Sequence, residues 1–405
     1  MDSSDTVSDS MWTALDRIAA VPLWAWATGA VMGLFGIIVL AYTGLYFLAP
    51  VPRPARTSEK QYITVDASGR TTAPQPLPCW HDNHLALRQM ARQGQIPPSE
   101  ANQITEAELF MTLVVPAYNE QHRLSGMLEE AVEYLEAEYG HHGTHSKSSS
   151  NGSLQASGQQ ADARRGWEVL IVSDGSTDQT VATALQFAKT HQLATPPTPK
   201  GPWNGVGKPT RITPGAIRVI TLEENRGKGG AVTHGMRHAR GTWVVFADAD
   251  GASRFTDLGS LVRGCEEAKD NLGRAVAVGS RAHMVGTEAV VKRSLLRNTL
   301  MHAFHLLLRL LSPPATAAIR DTQCGFKLFT RPSLPYIIPY MHSEGWIFDV
   351  EMLMLAESAG IPMVECPVGW KEVGGSKLNV VWDSLGMAVG LAVLRGGWGM
   401  GVWRR

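Results

Sequence analysis

At 405 residues, 44% of them apolar, the chain has room for one large or two ordinary domains with a sizeable core, which excludes a disordered or fibrous protein. Lys plus Arg equals Asp plus Glu at 37 each, so no global field draws the chain to nucleic acid, and any anionic partner has to be met by local clusters. The four cysteines, Cys79, Cys265, Cys324 and Cys366, are far apart; they give neither a disulfide framework nor a zinc signature, and predict a reducing compartment for the main domain.

Residues 1–20 carry Asp2, Asp5, Asp9 and Asp16 against a lone Arg17, the wrong charge for the start of a cleaved signal peptide. Val21 to Ala49 contains no charged residue and is long enough to cross a bilayer with some tilt, which predicts a transmembrane anchor over 21–49. Arg53, Arg56 and Lys60 follow it. By the positive-inside rule everything after residue 50 is expected in the cytosol and residues 1–20 in the lumen, so the sequon Asn151-Gly-Ser153 is expected to stay unglycosylated. Residues 50–109 mix Pro, Arg, Gln and Thr with little periodicity apart from a helical patch at His84 to Gln95, and read as a linker or lead-in.

From Met111 apolar runs alternate with amphipathic stretches. Strands are predicted at Thr112–Pro116, Glu168–Ser173, Ile217–Leu222, Thr242–Ala247 and Ala275–Val278, and helices at Arg123–Glu138, Asp178–Lys189, Gly229–Ala239 and Asp257–Asn271. The alternation implies a doubly wound α/β domain over 110–290, interrupted by Ser/Gly-rich and Pro/Gly-rich insertions at 140–166 and 194–215. In the remaining region, 291–405, Ser294, Asn298, His302, His305 and Arg309 fall on one stripe of an otherwise apolar helix ending at Leu311. A second apolar helix is expected from Val380 to Leu394, trailed by Arg395, Trp398, Trp403, Arg404 and Arg405. Both suit a membrane interface.

The chemistry gathers at strand ends. The strand Thr242–Ala247 runs into Asp248-Ala-Asp250, whose i, i+2 spacing points both carboxylates to one face, where they either hold a hard divalent cation or form a solvated strand end. Pro116-Ala-Tyr-Asn-Glu120 and Asp174-Gly-Ser-Thr-Asp178 follow the first two strands and suit a nucleotide base and ribose. Asn225-Arg-Gly-Lys-Gly-Gly230 has the make-up of a phosphate cradle, with Arg226 and Lys228 adding charge at a helix start.

These four turns, in this order, resemble the inverting nucleotide-sugar glycosyltransferases of family 2, and Asp248-Ala-Asp250 is similar to their metal-binding acidic motif. Within that family, Arg226-Gly-Lys-Gly-Gly-Ala231, Gly279-Ser-Arg-Ala-His283, Arg320 to Phe329 and Gly374-Gly-Ser-Lys377 resemble the members that glucosylate dolichyl phosphate at the endoplasmic reticulum. The resemblance covers Thr112 to Leu394. It implies the GT-A fold, a Rossmann-like, mostly parallel sheet flanked by helices, here with an N-terminal transmembrane helix and C-terminal interfacial amphipathic helices. It also implies UDP-glucose as donor, dolichyl phosphate as acceptor, and Mg²⁺ or Mn²⁺ on Asp248 and Asp250. Pro116, Tyr118, Glu120, Asp174, Gly175, Lys228 and Trp346 would then hold the donor. Arg281 would contact phosphate or sugar, and Arg320, Lys327 and Lys377 the acceptor phosphate, with Asp321 near the reacting centre as a base or as the partner of Arg320. Asp349 and Glu351 stay open between capping and lining the sugar pocket.

Two departures from the family pattern stand out: Ser173-Asp174 where many relatives have paired aspartates, and Ala252, which cannot coordinate a metal. The residues alone leave glucose against mannose and uracil against guanine open, so a mannose transferase using GDP-mannose and a silent nucleotide-sugar-binding membrane protein are the rival readings. No Gln-x-x-Arg-Trp motif is present, which argues against a processive polysaccharide synthase.

Overall fold

A computed structural model describes residues 21–97, 100–140, 165–193, 201–203, 209–284, 295–374 and 380–403. The sequon at 151–153, most of both insertions, Ser294, Lys377, Arg404, Arg405 and the acidic leader lie outside them. The chain divides into two compact units, Met1–Ala49 with Val393–Arg405, and Pro50–Ala392.

In the first unit, Leu23–Leu48 is one helix of 26 residues with no buried residue, and a stretch of 18 residues within it has a mean hydropathy of 2.1. It is long and apolar enough to cross a membrane. Most of its Leu, Val and Phe side chains are exposed, which a helix packed in a core would not show.

The second unit is built on a seven-stranded sheet. Strands β1 (Gln61–Tyr62) and β2 (Gln75–Pro76) form a separate small ribbon, and the large sheet comprises β3 (Leu109–Ala117), β4 (Trp167–Asp174), β5 (Ile217–Leu222), β6 (Gly241–Ala247), β7 (Val276–Ser280), β8 (Phe326–Thr330) and β9 (Met363–Pro367). Their order is β5-β4-β3-β6-β8-β7-β9. All pairings are parallel except those of β8, which runs against β6 and β7. The Val- and Ile-rich runs of β3 and β4 are buried on both faces, as expected of parallel strands covered by helices. Helices Leu124–Tyr139, Thr180–His191 and Leu258–Ala268 close one face around Leu128, Leu135, Phe187 and Leu261, each worth about 1.5–3 kcal/mol of burial. Helices Lys228–Arg237 and Phe348–Ser358 lie outside that core cluster, and the first packs on β3 and β4.

All five predicted strands are present. β8 and β9 were not anticipated: β8 carries Lys327 as its second residue, and both are five residues long. The lead-in is folded too. Ile63 exchanges backbone hydrogen bonds of 3.0 and 2.9 Å with Val219 on edge strand β5, and the Trp80 indole on helix Trp80–Arg92 donates to the Met236 carbonyl at 2.7 Å.

Near the amino end of β4, opposite the edge where ligands would bind, Glu168 has no exposure and accepts from Thr112 Oγ1 (2.8 Å) and from Arg240 Nε and Nη2 (2.9 and 2.8 Å), with Arg218 Nη1 at 3.5 Å. Burial lowers the Arg218 pKa, and the Glu168 charge opposes that shift. Glu168→Ala leaves these guanidinium groups without their buried counter-charge and should cost about 3–5 kcal/mol of stability. The check is chemical denaturation of detergent-solubilised protein; a loss under about 1 kcal/mol would mean the pair behaves like a surface contact.

Candidate active site

Because β8 is reversed, its amino end meets the carboxyl ends of β3, β4, β6 and β7 at one edge of the sheet. A cavity of roughly 1340 Å³ opens there. Asp248 and Asp250, in the turn after β6, both line it. Asp248 Oδ1 lies 2.6 Å from Lys228 Nζ, supplied by the first turn of its helix. Burial disfavours the Lys228 ammonium, but Asp248 and Asp349 outweigh it and the net shift is upward. Asp250 accepts the Ala252 amide at 2.9 Å, and its pKa is raised, first by burial and then by the Asp248 charge.

Two crowded carboxylates thus face one ammonium, and the second is pushed toward its proton. An all-oxygen donor pair of this kind fits a hard divalent cation, which would offset the repulsion. Gly325 makes the arrangement possible. Its carbonyl accepts the Asp248 amide at 3.1 Å, and a Cβ added there would overlap the Asp248 carboxylate.

On one side of the acids the cavity is lined by Pro116, Tyr118, Glu120, Arg123, Asp174, Lys228 and Trp346. Arg123 Nε and Nη2 each donate to Glu120 at 2.7 Å. Asp174 accepts the Arg226 amide at 2.7 Å, and burial raises its pKa to about 6 against the pull of the Arg226 and Gly227 amides. Tyr118 and Trp346 are 39% and 37% exposed, enough to offer aromatic faces to a planar or sugar ligand. Gly175 does not reach the lining. Its φ of 65°, and the Asn225 amide 2.6 Å from where a Cβ would stand, make it a turn residue. Ser173 is fully buried, so a carboxylate missing at that position takes nothing from the cavity.

On the other side stand Arg281 and Asp321. Arg281 donates to Asp321 from Nε (2.7 Å), Nη2 (2.8 Å) and its own amide (2.8 Å). Burial alone would raise the Asp321 pKa, but Arg281 holds it below the usual carboxylate range, and the Arg281 pKa rises in turn. The expected partner, Arg320, turns elsewhere: its side chain is 77% exposed at the cavity mouth, with Nε 3.7 Å from Glu365. The chain bends here, with the Arg320 and Asp321 amides both donating to Glu365 Oε1 at 3.1 and 3.0 Å.

Lys327 also departs from expectation. It has no exposure, and its ammonium donates to the Cys324 carbonyl at 2.7 Å and to the Asp349 carboxylate, so its charge is consumed behind the cavity wall and cannot reach an acceptor phosphate. Asp349 itself lines the cavity, its pKa raised by burial against Lys327 and Lys228. Glu351 is buried on the amides of His342 and Ser343 and anchors that loop.

Asn225, Arg123, His305, Arg309 and Trp370 line the cavity without having been singled out as ligand-binding residues. Arg123 was signalled by its three-residue spacing from Glu120, and His305 and Arg309 by the polar stripe of helix Leu295–Leu311. Trp370 follows the unanticipated β9 and had no local signal. Away from the cavity, Cys79, His81 and Asp82 are the one group of three metal-ligating side chains among the described residues, but Asp82 already carries Lys60 at 2.8 Å.

The sequence model of the family described as Glycosyl transferase family 2 matches residues 112–287. A Saccharomyces cerevisiae protein named dolichyl-phosphate beta-glucosyltransferase is 35% identical over 92% of this chain and 93% of its own length. Proteins of the same name from Drosophila melanogaster and Homo sapiens are 40% and 37% identical, each over 73% of this chain and 77% of the relative. Among solved structures, glucosyl-3-phosphoglycerate synthase of M. tuberculosis superposes with a TM-score of 0.42 at 14% identity, over 72% of this chain and 81% of that one, too distant to bear on function.

Gly325→Ala should leave the fold intact, since the group it strikes is the free end of a side chain, yet displace Asp248. Mn²⁺ affinity, followed by electron paramagnetic resonance, should fall by about 10–100-fold. Unchanged Mn²⁺ binding would remove Asp248 from the metal assignment.

Proposed function

The chain belongs to the dolichyl-phosphate beta-glucosyltransferases of glycosyl transferase family 2 and is a glycosyltransferase, and from that premise we propose that it transfers glucose from UDP-glucose to dolichyl phosphate with inversion. The lipid-linked glucose then serves N-glycan precursor assembly. The observation that carries this reading is a single cavity with an acidic centre at Asp248 and Asp250, aromatic and carboxylate groups on one flank, and Arg281 with Arg320 on the other.

In this assignment Tyr118, Glu120 and Asp174 hold uridine, Trp346 and Asp349 the glucose, and Asp248 and Asp250 a divalent cation. When bound, that cation would neutralise charge on the diphosphate as it leaves. Lys228 contributes on the same side, fixed by Asp248 and facing the cavity, as a preorganised positive charge. Arg281, braced by three hydrogen bonds to Asp321, presents its guanidinium to the acceptor phosphate, with Arg320 at the mouth. Lys377 belongs to the same assignment on its motif alone.

The acceptor is a phosphate monoester with a second pKa near ~6, so at neutral pH it attacks as an anion without a general base. Asp321 is correspondingly read as the residue that orients Arg281. Its carboxylate is held ionised and fully engaged, a poor starting point for taking up a proton. Attack from the Arg281 side, opposite the departing UDP, inverts the anomeric centre.

The acceptor's tail accounts for the cavity's third wall. Phe304, Leu308, Ile319 and Met387 line it, while Leu306 and Leu310 on helix Leu295–Leu311 and Trp382, Leu385 and Val389 on helix Val380–Gly399 are more than half exposed. Such helices suit the headgroup layer. With Leu23–Leu48 as a single-pass anchor, the reading locates the enzyme in the endoplasmic reticulum membrane with its catalytic unit in the cytosol.

Detergent-solubilised protein with dolichyl phosphate and Mg²⁺ or Mn²⁺ should form lipid-linked glucose from UDP-glucose; product from GDP-mannose alone would overturn the donor assignment. Asp250→Asn should lower transfer at least ~100-fold while membrane association is retained.

At saturating UDP-glucose, where donor binding no longer limits, the rate should also rise as pH climbs through about 6, following the acceptor's second ionisation. Asp321→Asn should reduce the rate without moving that profile. A shift of the profile in this variant would instead make Asp321 the base.

A further inference from the structure

We infer that Glu59, in the segment directly following the membrane anchor in sequence, is a positioning residue for the donor half of the cavity, acting through Arg226 on Asp174. This rests on the reading of that half as the nucleotide-sugar site.

The Asn225–Gly227 turn has two faces. Inward, the Arg226 amide donates to Asp174 Oδ1 at 2.7 Å, Asn225 Nδ2 donates to the Asp174 carbonyl at 3.2 Å, and Asn225 and Gly227 line the cavity. Outward, the Arg226 side chain leaves the cavity altogether, although its position in a Gly-rich turn suggests a phosphate ligand. It is 8% exposed and donates from Nη1 to the Arg53 carbonyl (2.6 Å) and from Nη2 to the Pro54 carbonyl (2.9 Å) and Glu59 Oε2 (2.6 Å). The guanidinium is therefore a rivet through the turn, and Glu59 is its nearest counter-charge, with Glu344 Oε1 farther off at 3.8 Å from Nη1.

Glu59 is committed to this task. It is 1% exposed, its second oxygen accepts the Glu223 amide at 3.1 Å, and Oε2 also takes the Arg56 amide at 2.8 Å. The His234 ring bonds its carbonyl at 2.9 Å. Around the pair, Arg56 and Ser58 bind the Glu223 and Glu224 carboxylates. Arg53 donates to the Asn225 carbonyl at 3.1 Å and to Glu344 at 2.9 Å, and the Glu344 carbonyl accepts the Gly230 amide at 3.0 Å. Gly227 has a φ of 84° and would place a Cβ 2.6 Å from that carbonyl, so the turn has no slack to reposition itself. Residues 53–59 thus fix the turn that carries both the clamp on Asp174 and the start of the helix bearing Lys228. A loosened turn takes the Arg226 amide from Asp174, the group that keeps its buried carboxylate ionisable.

The test uses full-length protein in detergent and UDP-glucose without acceptor, a probe that has no ionisation of its own near neutrality. Wild type should bind more weakly as pH falls through about 6, where Asp174 titrates. The charged neighbours acting on that group are Arg53, which favours its ionised form, and Glu344, which opposes it. Glu59→Gln and Arg226→Lys should weaken binding at neutral pH roughly 5- to 100-fold and move the midpoint to higher pH. In transfer assays they should raise KM for UDP-glucose more than they lower kcat. Glu59→Gln combined with Asp174→Asn should lose little beyond Asp174→Asn alone. Glu59→Asp, which keeps the charge, should restore part of the affinity. Additive losses, or variants that melt earlier yet keep the wild-type affinity and pH profile, would overturn the inference. Wild type that binds no UDP-glucose at all would overturn the donor assignment instead.

Discussion

The site depends on a buried charge. Lys327 is the second residue of the one reversed strand, β8, and has no exposure, and an ammonium in that position survives only with a counter-charge and its donors satisfied. Asp349, at the start of helix Phe348–Ser358, supplies the charge, and the Cys324 carbonyl takes a second donor. The pair ties the amino end of β8 to the loop that carries Trp346 and sets Gly325 against Asp248.

From there the charges alternate inward. Lys327 faces Asp349, Asp349 acts on Lys228, Lys228 pairs with Asp248, and Asp248 raises Asp250. Each charge down to Asp248 is stabilised by its neighbour of opposite sign, whereas Asp250 meets the like charge of Asp248. A cation bound at Asp248 and Asp250 would complete the series. Arg281 and Asp321 form a separate pair on the opposite flank, so the cavity presents fixed charge of both signs without side-chain rearrangement. In a partly desolvated site, preorganised charge is the economical way to steer two phosphate groups to one carbon.

Much of this was legible in the sequence because it is local. β3 to β7 are apolar runs, and the turns that follow them carry Tyr118, Asp174, Lys228, Asp248 and Arg281 within a few residues of each strand end. What was not legible is pairing across the chain. Asp321 was given Arg320, its neighbour, whereas the fold gives it Arg281, 40 residues earlier. Lys327 was grouped with the acceptor residues through the family resemblance of Arg320 to Phe329, and nothing in that motif tells that β8 is reversed and buried. Arg226 and Gly175 were taken for ligand contacts because Gly-rich turns serve both purposes; their roles follow from residues 53–59 and Asn225, which no spacing rule connects to them. The stretch 50–109 read as a lead-in for lack of periodicity, yet a short segment can be indispensable through hydrogen bonds alone.

The overall charge balance gains meaning at this point. With 37 basic and 37 acidic residues, the chain exerts no net pull on anionic lipid or nucleotide, so selectivity has to come from a few groups whose charge is concentrated by burial. Arg281 and Lys228 are only 33% and 16% exposed, which shields them from competing salt while a cavity wall of Phe304, Leu308, Ile319 and Met387 lowers the local dielectric. A phosphate arriving on an apolar tail satisfies both features at once: the tail covers the wall, and covering the wall strengthens the field on the phosphate. A free phosphate monoester would meet the same two cations with the wall still wet. Selection for a lipid acceptor, on this argument, comes less from contacts with the tail than from what the tail excludes.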